Sequence, residues 1–226
     1  MVTAIYLSGS AAFADYDLAR SDLDVIFIVQ RPLSDSMKME LLHQLSHEML
    51  PCPAEGVDLI VFLETAVTSP SRIPLYEFSL ASGANWKIDV SYGGDYAGPV
   101  IDLGICRERG QSLLGPPPKE KIGSIPRNWI EEELHSTVEW HQGQVHDSFH
   151  DPWGYNAVLN ACRAWKYHER GEFTSKSEGG RWAMSRAPQY EVIGEAVEAR
   201  RNKWHKALKR EKVMAFLDFV QEQIAV

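Results

Sequence analysis

The chain has 226 residues, 44% of them hydrophobic and 24% charged, which excludes global disorder and fits one large domain or two small ones. Lys and Arg number 23 against 31 Asp and Glu, a net charge of −8 that disfavours sequence-independent binding to a nucleic-acid backbone and can attract a cationic substrate. There is no apolar run of the roughly 18 residues a membrane span needs, no secretory pattern at the N-terminus, and no CxxC pair among Cys52, Cys106 and Cys162; these features predict a cytoplasmic protein with no membrane partner, disulfide frame or zinc ribbon.

In chain order, residues 4–7 form a short β-prone run that ends at Ser8-Gly9-Ser10. Residues 22–29, DLDVIFIV, become apolar on both faces, as a strand buried on both sides does. Residues 34–49 read as one helix, with Met37, Leu41, Leu45 and Met49 every four residues and Ser34 or Asp35 as N-cap. Residues 57–63, VDLIVFL, are a second buried strand, followed by a less regular stretch holding Tyr76, Phe78, Trp86 and Tyr92. Gly115-Pro116-Pro117-Pro118 then breaks the pattern. Beyond it the periodicity is helical. Ile130, Leu134 and Val138 share one face, and Tyr155, Val158, Leu159, Cys162 and Trp165 another. Ser175-Lys176-Ser177-Glu178 is a capping box, and two further helices fall near 191–208 and 211–224. The expected fold class is α+β: an α/β domain over 1–110, a mixed sheet with flanking helices, then an all-helical bundle over 111–226.

The chemistry gathers in the first part. Asp22 and Asp24 are two apart on a predicted strand, so both carboxylates point the same way. Like charges that close call for a cation, and hard oxygen ligands suit Mg²⁺, commonly held by one or two carboxylates plus substrate phosphates. Asp58 lies near the start of the next strand. If the strands are neighbours, Asp58 completes a three-carboxylate cluster, as a metal ligand or as the base that takes a proton from an attacking hydroxyl. Gly9 lets the backbone approach an anion closely, and Ser10 adds a hydroxyl donor. His43 and His47, four apart, read as a solvated helix face, and Trp129, Trp140, Trp153 and Trp165 mostly as core.

The run L-S-G-S-(x)11-D-L-D-V-I-F-I-V resembles the signature of the DNA polymerase β-like nucleotidyltransferases. Residues 156–183, NAVLNACRAWKYHERGEFTSKSEGGRWA, resemble the helical domain of the aminoglycoside adenylyltransferases that modify streptomycin and spectinomycin, through Leu159 and Arg163, Gly171, Ser175-Lys176 and Trp182-Ala183. Ile101-Asp102-Leu103 through Leu114-Gly115-Pro116 fits that family's domain junction. The resemblance implies that Ser10 and Ser21 contact the nucleotide phosphates, with Gly9 at the phosphate turn. It implies Mg²⁺ on Asp22, Asp24 and Asp58, with Asp58 as catalytic base where the family carries Glu. Arg163 and Lys176 would reach the triphosphate, and AMP would pass from ATP to a hydroxyl of a small polyhydroxylated amine. The acceptor side departs from the family. Ala81 stands where a cleft Trp is placed, with Trp86 displaced, and a family tyrosine near the nucleotide falls near Lys203 or Trp204. The drug-binding acids are replaced by a segment, His150-Asp151-Pro152-Trp153, where Asp147 and Asp151 are candidate substitutes. Streptomycin and spectinomycin are therefore expected to be poor acceptors. The alternatives are transfer to another metabolite or protein hydroxyl, or a non-catalytic nucleotide-binding interaction protein.

Overall fold

The computed structural model describes residues 1–18, 21–49, 56–83, 93, 98–147, 151–202 and 206–225, together with the backbone of 86–91. Cys52, Tyr92, His150, Lys203, Trp204 and the Trp86 side chain lie outside the described residues. The chain divides into two compact units, Met1–Pro126 and Arg127–Val226.

The first unit runs β1 (Val2–Leu7), α1 (Gly9–Ala12), β2 (Leu23–Val29), α2 (Asp35–Gln44), β3 (Gly56–Leu63), α3 (Glu64–Thr68), β4 (Tyr76–Gly83), β5 (Trp86–Ser91), α4 (Pro99–Arg109), β6 (Gln111–Leu114) and α5 (Pro118–Lys121). Six strands form one mixed sheet in the order β5-β4-β3-β2-β1-β6, in which β2 and β3 are parallel and the other pairs antiparallel.

Alternation along β2 and β3 divides the sheet into two faces. Val25, Phe27 and Val29 join Leu59, Val61, Phe78 and Leu80 under α2, through Leu41, Leu42 and Leu45. Ile26, Ile28, Ile60 and Phe62 join Ala4 and Tyr6 on the opposite face, under Val67 of α3 and Leu103 and Cys106 of α4. Helices on both faces explain why DVIFIV is apolar without alternation.

Five elements differ from expectation. Helix α2 stops at Gln44, with Ser34 accepting from Met37 N at 3.3 Å as N-cap. Met37 and Met49 are half exposed, so the apolar stripe that suggested a longer helix is not fully used. The irregular stretch after residue 63 contains β4 and β5, which alternate apolar and polar residues as strands do, YEFSL over 76–80 and WKIDV over 86–90. Helix α4 fills residues read only as a junction. Strand β6 pairs with β1 through Ile5 and Leu114, Tyr6 and Ser112, and Leu7 and Gln111. That pairing ties 111–114 to the sheet, so the units divide after Pro126 rather than at the expected 110/111.

The second unit holds α6 (Arg127–Gln144), α7 (Tyr155–Arg170), α8 (Lys176–Arg186), α9 (Glu191–Asn202) and α10 (Arg210–Gln223). Its core surrounds α7, where Val158, Leu159, Cys162 and Trp165 are buried with Val138, Ile193, Phe216 and Val220. Trp165 packs edge-on to Trp182 at 4.9 Å and to Phe219 at 5.2 Å. Trp140, expected in a core, is exposed. Among the described residues no helix is long and apolar enough to cross a membrane.

Candidate active site

Strand β1 ends in Ser8, whose N–H donates to Asp24 O at 2.9 Å and pins the following turn to β2. Gly9 comes next with φ +53°, in the left-handed region that favours glycine. A Cβ on Gly9 would lie 1.7 Å from Asp24 Oδ2 and 2.2 Å from Asp24 Cγ. Glycine is thus required twice, by the backbone and by the carboxylate lying over it. Ser10 follows in the same turn. Its carbonyl accepts from Phe13 N and Asp15 N, while its buried Oγ finds no hydrogen-bond partner among the described residues. A buried hydroxyl left unsatisfied costs on the order of 1–3 kcal/mol, which a bound anion would relieve.

Asp24 and Asp58 stand in register on parallel strands, on the face shared with Ile26 and Ile60. Neighbouring strands lie about 4.8 Å apart, so the two carboxylates begin from adjacent positions. Asp22 precedes them by one alternation. Gly56 opens β3 beside it: a Cβ there would meet Ser82 O at 2.6 Å and Asp22 Oδ1 at 3.4 Å. Asp22 and Asp24 are half-buried and Asp58 is exposed.

The expected three-carboxylate metal cage is not closed: among the described residues no group of three His, Cys, Asp or Glu side chains is disposed to hold a metal ion. What remains is a pair of in-register carboxylates with a third two residues upstream. All-oxygen, this donor set fits a Mg²⁺ that takes one or two protein ligands and completes its shell from phosphate and water.

Ser21, expected at the phosphates, is buried. Its Oγ accepts from Asp17 N at 3.1 Å and its N–H donates to Asp17 O at 2.8 Å, which closes the turn leading into Asp22. Ala81 of β4 pairs with Asp58 on one side and Asp89 of β5 on the other, so a small residue flanks Asp58 where a cleft Trp was expected.

The second unit carries the cations. Asn156, Asn160 and Arg163 lie at i, i+4 and i+7 along one side of α7. Ser175 caps α8 by accepting from Glu178 N at 3.1 Å, which fixes Lys176 as its first residue. Lys176 Nζ donates to Asn156 Oδ1 at 2.9 Å. Arg163 donates from Nε to Thr174 O at 2.9 Å and from Nη1 to Asn160 Oδ1 at 3.2 Å. Close approach of α8 permits this: a Cβ on Gly179 would lie 3.2 Å from Arg163 Cγ. Arg163 and Lys176 therefore flank one α7–α8 corner.

Asp151 is not a surface acid for a substrate amine. It is 1% exposed, with Oδ1 accepting from Gly154 N at 3.0 Å and Asn156 N at 3.3 Å, and Oδ2 from Ala157 N at 2.8 Å. It caps the start of α7. Burial pushes its carboxyl above the ordinary range, against the lowering effect of those N–H groups and of Lys176. The roles of Asn156, Asn160 and Asp151 were missed in the sequence. The Asn-x-x-x-Asn-x-x-Arg spacing, which puts the three side chains on one side of α7, is the local signal that could have found the two asparagines. His43 is exposed, as read, and His47 lies beyond the end of α2.

Residues 122–223 match the family model of the aminoglycoside adenylyltransferase C-terminal domain. No curated protein sequence matches the chain. The fold is similar to that of the spectinomycin adenyltransferase AAD(9) from Enterococcus faecialis, solved with ATP and spectinomycin: TM-score 0.76 at 16% identity, over 100% of this chain and 92% of that one.

Proposed function

We propose that this protein is an adenylyltransferase of the aminoglycoside-modifying kind, moving AMP from ATP onto a hydroxyl of a small polyhydroxylated amine. The observation that carries this reading is the in-register pair Asp24 and Asp58 beside the Gly9–Ser10 turn. The match of residues 122–223 to an adenylyltransferase helical domain supports it independently.

In this reading Asp22, Asp24 and Asp58 would hold a Mg²⁺ ion. The metal would offset charge on the triphosphate and its leaving group. Ser10 Oγ and the Gly9 turn receive phosphate oxygens, and Arg163 and Lys176 neutralise the rest of the triphosphate. Ser21 supports the site chiefly through the turn it closes before Asp22. Asp58 is exposed, and takes the proton from the acceptor hydroxyl as its oxygen attacks the α-phosphorus. One O–P bond forms, the bond from the α-phosphorus to the bridging oxygen breaks, and pyrophosphate leaves. Positioning and charge stabilisation supply the acceleration.

The acceptor is a cationic, hydroxyl-rich molecule, favoured by the net charge of −8. With Asp151 committed to capping α7, the acid that meets its amino groups belongs elsewhere. Incubating the protein with ATP, Mg²⁺ and a panel of aminoglycosides and aminocyclitols, with pyrophosphate release and mass detection of an added AMP, tests the reading. The expected result is turnover with at least one amine and weak turnover with streptomycin and spectinomycin. Strong turnover with both drugs would show that the departures at Ala81 and the segment before α7 do not reshape the acceptor pocket. Turnover only with non-amine metabolites or protein hydroxyls would replace the acceptor class, and no turnover with any acceptor would overturn the enzyme reading. Modification of a drug would confer resistance on a sensitive bacterium.

A further inference from the structure

We infer that His141 and Asn160 are positioning residues that set the guanidinium of Arg163 for the triphosphate, an inference that rests on the reading of Arg163 given above. A guanidinium can only donate, so Asn160 must present Oδ1 to Arg163 Nη1, 3.2 Å away. The amide nitrogen of Asn160 then faces His141 Nε2 at 2.9 Å. That nitrogen also only donates, so Nε2 must accept. The donor character of Arg163 therefore propagates through Asn160 and gives His141 Nε2 the acceptor role.

The placement of the three residues suits this role. His141 is 6% exposed on α6 and held edge-on to Trp140, with ring centroids 5.0 Å apart. Asn160 and Arg163 are half-buried on α7. Arg163 is held at a second point by Thr174 O, in the segment leading to α8. Two anchors from different parts of the unit limit the rotamers of a long side chain before ligand arrives. A cation ordered in advance loses less freedom on binding, which is how a residue remote from phosphate raises affinity for it.

Calorimetric titration of the full chain with ATP and Mg²⁺ tests this, alongside steady-state kinetics and thermal melts. Arg163→Ala is expected to raise the Kd for ATP about tenfold or more, the loss of a charged hydrogen-bonding group. His141→Leu, which cannot accept, is expected to raise it about fivefold and to raise the KM for ATP more than that for the acceptor amine. His141→Gln offers a carbonyl where Nε2 was and restores binding to within about twofold. In the double variant, His141→Leu adds nothing to Arg163→Ala. Should His141→Leu fail to fold, Asn160→Leu, at a half-buried position, carries the same test. Wild-type ATP affinity in His141→Leu, with Arg163→Ala weakened, overturns the relay and leaves the reading of Arg163 intact. So does a loss in His141→Leu that persists in full without Arg163. Unchanged ATP affinity in Arg163→Ala overturns both.

Discussion

Gly9 concentrates two demands on one residue, a positive φ and the approach of the Asp24 carboxylate to within van der Waals distance of its Cα. Gly9→Ala must therefore strain the backbone and displace Asp24 together. We expect about 1–3 kcal/mol of lost stability by denaturant titration and a drop in kcat/KM of about a hundredfold or more, because the displaced group belongs to the proposed metal site. Asp24→Asn removes the charge without removing the strand. Ile26, Ile28 and Val29 stay buried, so its circular dichroism should match wild type while pyrophosphate release disappears. Near-normal release from Asp24→Asn would place the chemistry elsewhere. At this scale the sequence was informative because carboxylates on an apolar strand are costly and rarely incidental. It could not reveal that Asp24 lies over Gly9, since that contact joins β2 to a turn more than ten residues away.

At the scale of elements, the α7–α8 corner depends on two caps. Ser175→Ala removes the acceptor for Glu178 N and should cost about 1 kcal/mol by thermal or chemical melt, with a small rise in the Kd for ATP because Lys176 begins that helix. Asp151→Ala leaves three backbone N–H groups at the start of α7 without their carboxylate, inside a buried site, and should cost about 2–4 kcal/mol. The pH dependence has a definite sign. The carboxyl of Asp151 is raised above its ordinary value of 3.8 by burial, so the folded chain binds that proton more tightly than the unfolded one. Its proton-linked contribution is complete below about 3.8 and is lost as pH rises through the higher folded value. Stability measured upward from pH 4 should carry that downward component in wild type and lack it in Asp151→Ala. Ser175 as a cap was legible from Ser-x-x-Glu, a local signal. Asp151 was not, because its partners sit three to six residues ahead across an irregular segment. Strands β4 and β5 did carry a local signal, the alternation YEFSL and WKIDV, but their places in the sheet come from long-range pairing, β4 on β3 and β5 on β4.

At the scale of the molecule, the candidate carboxylates and phosphate turn lie in Met1–Pro126, and Arg163 and Lys176 lie in Arg127–Val226. Lys176→Ala should weaken ATP binding about tenfold by calorimetry while leaving acceptor affinity nearly unchanged, and an unchanged ATP affinity would refute the role given to Lys176. The sequence alone determined the order of the halves, the two buried strands, the capped helix at Ser175 and the candidates Asp22, Asp24, Asp58, Arg163 and Lys176. Each is written in a short window of periodicity or spacing, where chain connectivity already limits geometry. Tertiary structure decided the rest. It set the 24–58 register, moved 111–126 into the first unit through the β1–β6 pairing, turned Asp151 from a candidate ligand into a buried cap, and joined His141 to Arg163 through Asn160. The physical reason is that all of these are long-range pairings, whose partners are chosen by which surfaces exclude water together and which buried polar groups must be satisfied, not by the residues adjacent in the chain.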